Sequence, residues 1–595
     1  MIIDEEKISV SGYIWRERPH NEREATTIAQ RLELPEIMGR IIASRNIAPE
    51  NAASYLNPTI REFLPDPFHL KDMEKAASKI FYTLFPPPLE GGVRGGSSKI
   101  AIFGDYDVDG ATSSALLVRY FRMLGIEPLV YIPDRIKEGY GPNINALIKL
   151  KEQGASLVIT VDCGTMSFEP LKAAKEAGIE VIVIDHHKGD AEMPLGYAIV
   201  NPNRYDEESP HKQLAACGVV FLLLVAINKY LREAEISPPD LMQLLDIVAL
   251  GTVCDVVPLV GINRALVAQG SKVMSQRRNI GIAALQDVAL MNEKPTAFHL
   301  GYILGPRINA GGRVGKSDLG VRLLTTNDEI EAKQIASELN QFNLERRAIE
   351  AMVQEEAMQQ AESLSSSDAV IVVVGVGWHA GVIGIVAGRL KEHFGKPTAV
   401  IALDNGIGKA SARSITGIDL GAAVIAATHK GILAQGGGHA MAAGFTINEE
   451  KIADLRQFFN DNLQQDVLRI TSQKILNIDG TISIRGLNSE LVNLLDKVAP
   501  FGAGNSSVRL VINKVKVVRA DILAGEHVRA IIADAGNSSG SASVKAMAFR
   551  SVNNEIGQAL LNARGRTLNI AGKAKINLWQ GRESVDFIID DVVFD

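Results

Sequence analysis

Hydrophobic residues recur with two alternating periods along the middle of this 595-residue chain. Lys99 to Gly104 is a short apolar run of strand type, and Ala111 to Leu124 carries helical spacing that stops at Gly125. Leu129–Pro133 predicts a strand, Asn143–Gln153 a helix and Leu157–Val161 a strand. Glu169–Ala177 predicts a helix closed by Gly178, and Val181–Ile184 the next strand. Strand and helix in alternation, with glycine stops, predict βαβ units and a parallel sheet. Ligands of such sheets lie beyond the carboxyl ends of the strands. From Glu329 to Leu364 there is neither Gly nor Pro, and Ile335, Leu339, Phe342, Ile349 and Val353 fall at helical spacing. With Asp328 and Glu331 as a capping pair, this segment predicts one long helix joining two domains.

A second α/β pattern follows: strand Ala369–Val374, helix Val382–His393, strand Thr398–Leu403 and a closing helix from Ile452 to about Leu468. Beyond it, Val508–Val518, His527–Ala533, Val544–Phe549, Thr567–Ile576 and Val585–Val593 alternate or run apolar, and several short strands in about a hundred residues predict a small β-barrel. The first hundred residues predict helices ending in a surface loop, Pro86–Ser98, rich in Pro, Gly and Ser. The expected class is α/β. Its parts are a parallel-sheet domain with an N-terminal helical segment (1–327), a linker helix (328–364), a second, smaller α/β domain (365–469) and a β-barrel (470–595).

Composition narrows the class only a little. Hydrophobic residues at 46% and charged residues at 22% match a soluble globular protein. Cys163, Cys217 and Cys254 form no CxxC pair, which argues against structural zinc and for a reducing, cytoplasmic setting. The first residues, Met1 to Glu6, are acidic and lack the layout of a signal peptide, and no apolar run is long enough to span a bilayer. A net charge of −7 disfavours a general polyanion binder but leaves room for a local basic groove.

The chemistry gathers at the predicted strand ends. The first strand leads into Asp105-Tyr106-Asp107-Val108-Asp109-Gly110, the third into Asp162-Cys163-Gly164 and the fourth into Asp185-His186-His187. The apolar helix Leu241–Leu250 leads into Gly251-Thr252-Val253-Cys254-Asp255. Like charges brought to one sheet edge need cations to neutralise them. Oxygen and imidazole donors suit Mn²⁺ or Mg²⁺ better than the thiolate sets of structural zinc. Asp-x-Asp-x-Asp-Gly also opens an EF-hand calcium loop, but that loop ends in Glu where this chain has Leu116, and it follows a helix where this segment follows a strand. Asp185 reads equally as a ligand or as a turn and cap residue, His187 as a substrate contact, and Cys163 and Cys254 as small buried residues. Gly436-Gly437-Gly438 reads as a tight turn before a helix, whose free amides could take a phosphate. Ser411 and Arg413, one residue apart on an extended segment, point to one side and can share a phosphate.

In this order Asp107/Asp109, Asp162, Asp185-His186-His187 and Asp255 resemble the four motifs of the DHH phosphoesterase superfamily. The segments Gly305–Arg313 (GPRINAGGR), Lys409–Ser414 and Gly436–Gly444 resemble the RecJ family in particular. Pro500–Asn505 resembles the start of that family's C-terminal OB-like nucleic-acid-binding barrel. The resemblance runs from about residue 30 to the C-terminus. It implies that Asp105, Asp107, Asp109, Asp162, His186 and Asp255 hold two ions, Mn²⁺ or Mg²⁺, with Asp162 bridging. It implies that His187 and Arg313 act on the scissile phosphate and that His439 lies where the DHH-associated domain closes on substrate. Arg135, Ser411 and Arg413 would hold a terminal 5′ phosphate, and Arg307 and Asn309 further substrate. The implied activity is 5′-to-3′ digestion of single-stranded DNA to mononucleotides in repair and recombination. The implied partners of a monomeric enzyme are 5′-phosphorylated single strands, a single-strand-binding protein and a RecQ-type helicase. Two rival readings share the motifs: a DHH-type phosphodiesterase of cyclic dinucleotides or short oligonucleotides, which would not need the barrel, and a non-catalytic DNA-binding scaffold, which would be expected to lose ligands that are all present here.

Overall fold

The computed structural model describes residues 7–86, 99–135, 137–364, 368–471, 474–535, 542–579 and 581–595. The expected Pro86–Ser98 surface loop therefore lies, but for Pro86, outside the described residues. Two compact units result: Thr59–Val467 with Gly502–Gly504, and Met1–Pro58 with Leu468–Phe501 and Asn505–Asp595.

The larger unit contains both α/β patterns. Its first sheet is wholly parallel, in the order Leu129–Tyr131, Lys99–Gly104, Ala155–Val161, Glu180–Ile184, Ala198–Val200. Lys99–Gly104 is apolar and buried on both faces after its first residue, as a parallel strand covered by helices must be. The last strand, three residues long, is too short to show a period. The chain leaves the Lys99–Gly104 strand for one neighbour and returns to the other side for Ala155–Val161, so the order reverses between these two strands. Their carboxyl ends form the crevice where α/β sheets bind ligands.

Glu329–Ser363 is the single long helix that the spacing predicts. Asp328 caps it by accepting from the amides of Ile330 and Glu331. The expected partner, Glu331, does not reach back to the cap: its carboxylate accepts from Thr326 Oγ1 and pairs with Arg322. The second sheet runs Gln435–His439, Ala442–Asn448, Ile407–Arg413, Thr398–Asp404, Ile371–Val376, and only the last pair is parallel. One sequence expectation is overturned here. Gly436-Gly437-Gly438 is not a turn before a helix but strand, paired antiparallel with Gly444 and its neighbours. Packing explains two of the three glycines: a Cβ on Gly436 would lie 2.7 Å from Val424, and Gly438 sits at φ +153° with Ala442 O only 2.4 Å from its missing Cβ.

In the smaller unit five strands, Leu510–Leu523, His527–Asp534, Ser543–Ala548, Arg582–Phe594 and Thr567–Trp579, close into a barrel because the first also pairs with the last. The N-terminal segment corrects the expected boundary. Met1–Pro58 belongs with the barrel and not with the parallel-sheet domain. Tyr13–Glu17 pairs in parallel with Lys474–Ile478, Trp15 Nε1 donates to Asp591 at 2.8 Å, and Ile28, Met38, Ile41 and Ile42 share one core with Val498, Leu510 and Phe587. Helical spacing tells which face is buried but not against what.

Candidate functional site

Each carboxylate of the first sheet is delivered by the end of an element. Asp105 follows Lys99–Gly104, and Asp107 caps helix Val108–Met123 by accepting from Gly110 N at 3.0 Å. Asp109, in the first turn of that helix, accepts from the amides of Ala216 (2.7 Å) and Cys217 (2.9 Å), which open helix Ala216–Glu233. Asp162 follows Ala155–Val161 in the left-handed region, φ +61°, a strained conformation of the kind that collects at working sites. Asp255 ends helix Leu245–Cys254.

These groups converge. His186 Nε2 lies 3.4 Å from Asp162, 3.5 Å from Asp255 and 3.9 Å from Asp109. Asp109, His186 and Asp255 make one set whose ligand atoms all fall within 4.8 Å of one another; Asp105, Asp107 and Asp162 make a second. Four buried atoms, Asp105 Oδ1, Asp162 Oδ1, His186 Nε2 and Asp255 Oδ2, have no hydrogen-bond partner among the described residues. Burial first, and then the neighbouring carboxylates, push Asp105 and Asp162 well above the usual carboxylate range and Asp255 to about 9. Burial pulls His186 down, towards the neutral imidazole that can donate a lone pair. Burial pushes the Cys163 and Cys254 thiols up, so they offer no thiolate. Unpartnered buried oxygens, a neutral imidazole and no thiolate fit hard divalent cations.

The structure gives Asp185 the bonds of a turn and cap residue. Its buried carboxylate accepts from the amides of Thr165 (3.0 Å), His186 (2.8 Å) and His187 (3.2 Å), and from His187 Nδ1 at 2.8 Å. Although burial opposes it, the bond to His187 holds Asp185 below the usual range; burial likewise opposes charge on His187, yet Asp185 lifts it to about 9. Asp185 therefore orients the loop and keeps a half-exposed imidazolium beside the acids. Tyr140 was not singled out in the sequence, since it lies between the predicted strand Leu129–Pro133 and helix Asn143–Gln153 in a segment without periodicity. Its hydroxyl donates to Asp162 O at 2.9 Å and lies 3.1 Å from His187 Nδ1.

Cations surround this edge. Helix Gly305–Val314 ends against the acidic loop, since a Cβ on Gly312 would lie 2.8 Å from Tyr106 O. Its Arg313 donates from Nη1 to Gly381 O at 2.6 Å. Arg135 stands over the Tyr106 ring, 4.9 Å from its centroid. On strand Ile407–Arg413, Arg413 Nη1 donates to Ser411 Oγ at 3.2 Å. A Cβ on Gly384, near the start of helix Ile383–Phe394, would meet both, at 2.9 Å from Ser411 Oγ and 3.2 Å from Arg413 Nη2. Burial and Arg135 lower Arg413, while burial, Arg135 and Arg346 lower Arg313 to about 10, still cationic at neutral pH. His439, at the exposed end of Gln435–His439, is lowered by burial and by Arg413 and His187. Arg307 is tied by Nε to Asn340 of the linker helix (3.0 Å) and by Nη1 to Ile303 O (2.6 Å); Asn309, half-buried, lies one turn before Arg313.

Comparison with known proteins bears on this arrangement. Residues 99–252 match the DHH family, N-terminal domain, residues 367–465 the DHHA1 domain and residues 478–591 the RecJ OB domain. A single-stranded-DNA-specific exonuclease RecJ of Salmonella typhimurium is 34% identical over 597 residues, covering 97% of this chain and 99% of the relative. One of Bacillus subtilis is 31% identical over 587 residues, covering 97% of this chain and 70% of its own. The crystal structure of RecJ from Thermus thermophilus in complex with Mn²⁺ superposes with a TM-score of 0.79 at 26% identity, covering 97% of this chain and 79% of that one.

Proposed function

This chain belongs to the RecJ family of single-stranded-DNA-specific exonucleases, and from that premise we propose that it hydrolyses single-stranded DNA from a phosphorylated 5′ end and releases mononucleotides. The observation that supports this reading is a set of buried, unpartnered carboxylates with three mutually close cations, Arg135, Arg313 and Arg413, of which Arg313 also feels Asp107.

Asp105, Asp107 and Asp162 would hold one divalent cation, and Asp109, His186 and Asp255 the other, with Asp162 near enough to His186 to serve both. Two such ions, Mn²⁺ or Mg²⁺, supply Lewis acidity, drawing charge from phosphate oxygens and lowering the pKa of water to about 7. The remaining roles fall to the chain's own residues. Arg313 and the His187 imidazolium meet charge that develops on the scissile phosphate. Asp185 fixes the His187 ring, and with it the proton that His187 carries. Ser411 and Arg413, with Arg135, hold the terminal 5′ phosphate against the start of helix Ile383–Phe394, whose amides favour an anion. His439 closes the rim, and Asn309 contacts substrate beside Arg313. Arg307, committed to Asn340 and Ile303, acts on substrate only through the helix that it steadies. The barrel binds single-stranded DNA, a task that the OB architecture suits.

Among the described residues no helix is long and apolar enough to cross a membrane. We assign the enzyme to the cytoplasm as a monomer in repair and recombination, working on strands exposed by a RecQ-type helicase and covered by a single-strand-binding protein. Digestion of 5′-labelled and 3′-labelled single strands with Mn²⁺ tests the activity. Immediate release of labelled mononucleotide from the 5′-labelled strand alone is expected, and early release from the 3′-labelled strand would refute the polarity.

A further inference from the structure

The turn between strand Ile371–Val376 and helix Ile383–Phe394 has an anchored geometry that the proposed roles do not use. Trp378, 8% exposed, donates from Nε1 to Glu356 Oε2 of the linker helix at 2.7 Å. Its ring fills the place of a side chain on Gly375, where a Cβ would sit 1.9 Å from the indole. Gly377 turns the chain at φ +73° and donates its amide to Leu403 O. Held in this way, the turn presents His379. The Nδ1 of His379 accepts from Gly381 N at 3.0 Å, and its carbonyl accepts from Val382 N. The Gly381 carbonyl in turn accepts from Arg313 Nη1 at 2.6 Å. No side chain fits between them, because a Cβ on Gly381 would lie 2.9 Å from the His379 ring and 3.0 Å from Arg313 O.

We propose that His379 is a positioning residue for Arg313, acting through Gly381. Two peptide planes meet at the Gly381 Cα. The first is held at the Gly381 N–H by the His379 imidazole; the second is held at the Val382 N–H by the His379 carbonyl and at the Gly381 C=O by the guanidinium. With both planes held, the carbonyl stays aimed at Nη1, and the rest of the Arg313 fork is left for an anionic oxygen. Arg313 is carried by the lobe with the acidic edge and Gly381 by the second sheet's lobe. Three residues beyond Gly381 comes Gly384, which abuts Ser411 and Arg413. One turn thus connects the scissile-phosphate arginine to the seat of the terminal phosphate, and the spacing between those two phosphates is what decides where a strand is cut.

The inference rests on the reading of Arg313 as a phosphate contact, and the experiment separates the two. His379→Leu removes the acceptor but keeps the bulk, whereas His379→Asn retains an acceptor oxygen near the position of Nδ1. On a short 5′-phosphorylated oligonucleotide with Mn²⁺, His379→Leu is expected to lower kcat by about 10- to 100-fold, the usual cost of losing the partner that orients a working group. KM should stay within about twofold, and His379→Asn should recover most of the loss. In an Arg313→Ala background, His379→Leu should add less than about twofold, because both changes act on one interaction. An equal loss in that background, a loss confined to KM, or Asn behaving no better than Leu would overturn the inference. If Arg313→Ala alone leaves kcat intact, it is the phosphate-contact reading that fails. Should His379→Leu melt early, Gly381→Ala gives a second readout, since its Cβ has to part His379 from Arg313. A fall in kcat of about tenfold or more is expected there, and an unchanged kcat would overturn the inference.

Discussion

The two five-stranded sheets of the larger unit carry opposite charges and present them differently. In the parallel sheet the working groups sit at strand and helix ends, with Asp105, Asp109 and Asp162 buried and Asp107, His186 and Asp255 half-buried, and include four buried atoms with no hydrogen-bond partner among the described residues. In the mixed sheet Ser411 and Arg413 stand on the face of an antiparallel strand, each half-buried, already bonded to one another and near a helix start. Buried anions without donors need metal ions; partly solvated cations already satisfied can wait for a phosphate. The acidic edge is therefore expected to tolerate no loss, and the basic face to yield by degrees.

The strongest test of that contrast is Asp162→Asn. Asn tolerates the left-handed backbone at this position, so the change removes charge without adding strain. Cleavage is expected to fall by on the order of 10³-fold or more, since the ligand proposed to serve both ions is lost. The melting temperature in chelator should hold or rise, because a crowded buried carboxylate has been neutralised. Near-normal activity with a confirmed fold would sink the two-ion reading.

A smaller loss is expected on the other face. Arg413→Ala, or removal of the substrate's 5′ phosphate, should each weaken productive binding by about 1.5–3 kcal/mol, the worth of a charge-assisted hydrogen bond. Combined, they should cost no more than either alone, since both erase one contact. Additive losses would place end recognition elsewhere.

The contrast also has a pH signature without metal. Asp255 is raised to about 9 by burial and by Asp109 and Asp107, and Asp185 raises His187 to about 9 against the effect of burial. A raised group binds its proton more tightly when folded, so its stabilisation is complete below the unfolded pKa, about 4 for the carboxyl and about 6.5 for the imidazole, and is lost as pH rises through about 9. In chelator the melting temperature should thus fall across this window, and Asp255→Asn should flatten the slope. Mn²⁺ should offset the fall, as ions replace protons more readily at higher pH. A metal-free melting temperature that rises from about pH 5 to about pH 9 would contradict the buried acidic cluster.

How legible each face was follows from its geometry. Strand ends of a parallel sheet are marked by an apolar run giving way to a carboxylate, so Asp105, Asp162 and Asp185 could be placed from the sequence, and period two put Ser411 and Arg413 on one side. What failed depended on partners distant in the chain. Gly436-Gly437-Gly438 has the composition of a turn, and only the facing helix Leu420–His429, crowding Gly436, and the paired strand, crowding Gly438, explain why side chains are excluded at those two positions. Helices Glu22–Arg31 and Glu36–Ala43 show helical spacing whose buried face meets strands some five hundred residues later. Tyr140 reaches Asp162 O through a loop with no period at all. Asp185 read equally as ligand or cap until its three amide donors and His187 were in view.

The smallest effect is expected in the barrel. On strand Leu510–Leu523, Lys514, Lys516 and Val518 fall on the exposed side, whereas Arg519 and Arg529 are both paired with Asp521. Lys514 and Lys516 are thus better placed than the paired arginines to exchange counterions for phosphates. Lys516→Ala should weaken binding of a long single strand modestly and make the dependence of log affinity on log salt shallower by about one unit or less, the share of a single phosphate contact. On an oligonucleotide short enough for the crevice to hold alone, the same variant should cut at the rate of the unaltered protein, because every proposed metal ligand and phosphate contact precedes residue 440 in the chain. Truncation is the worse probe. Removing residues 470–595 would strip the apolar faces of Met38, Ile41 and Ile42 of their partners and confuse loss of grip with loss of fold. An unchanged salt slope for Lys516→Ala together with Lys514→Ala would remove this face from the strand's path, whereas equal losses on short and long strands would mean that the barrel serves the chemistry itself.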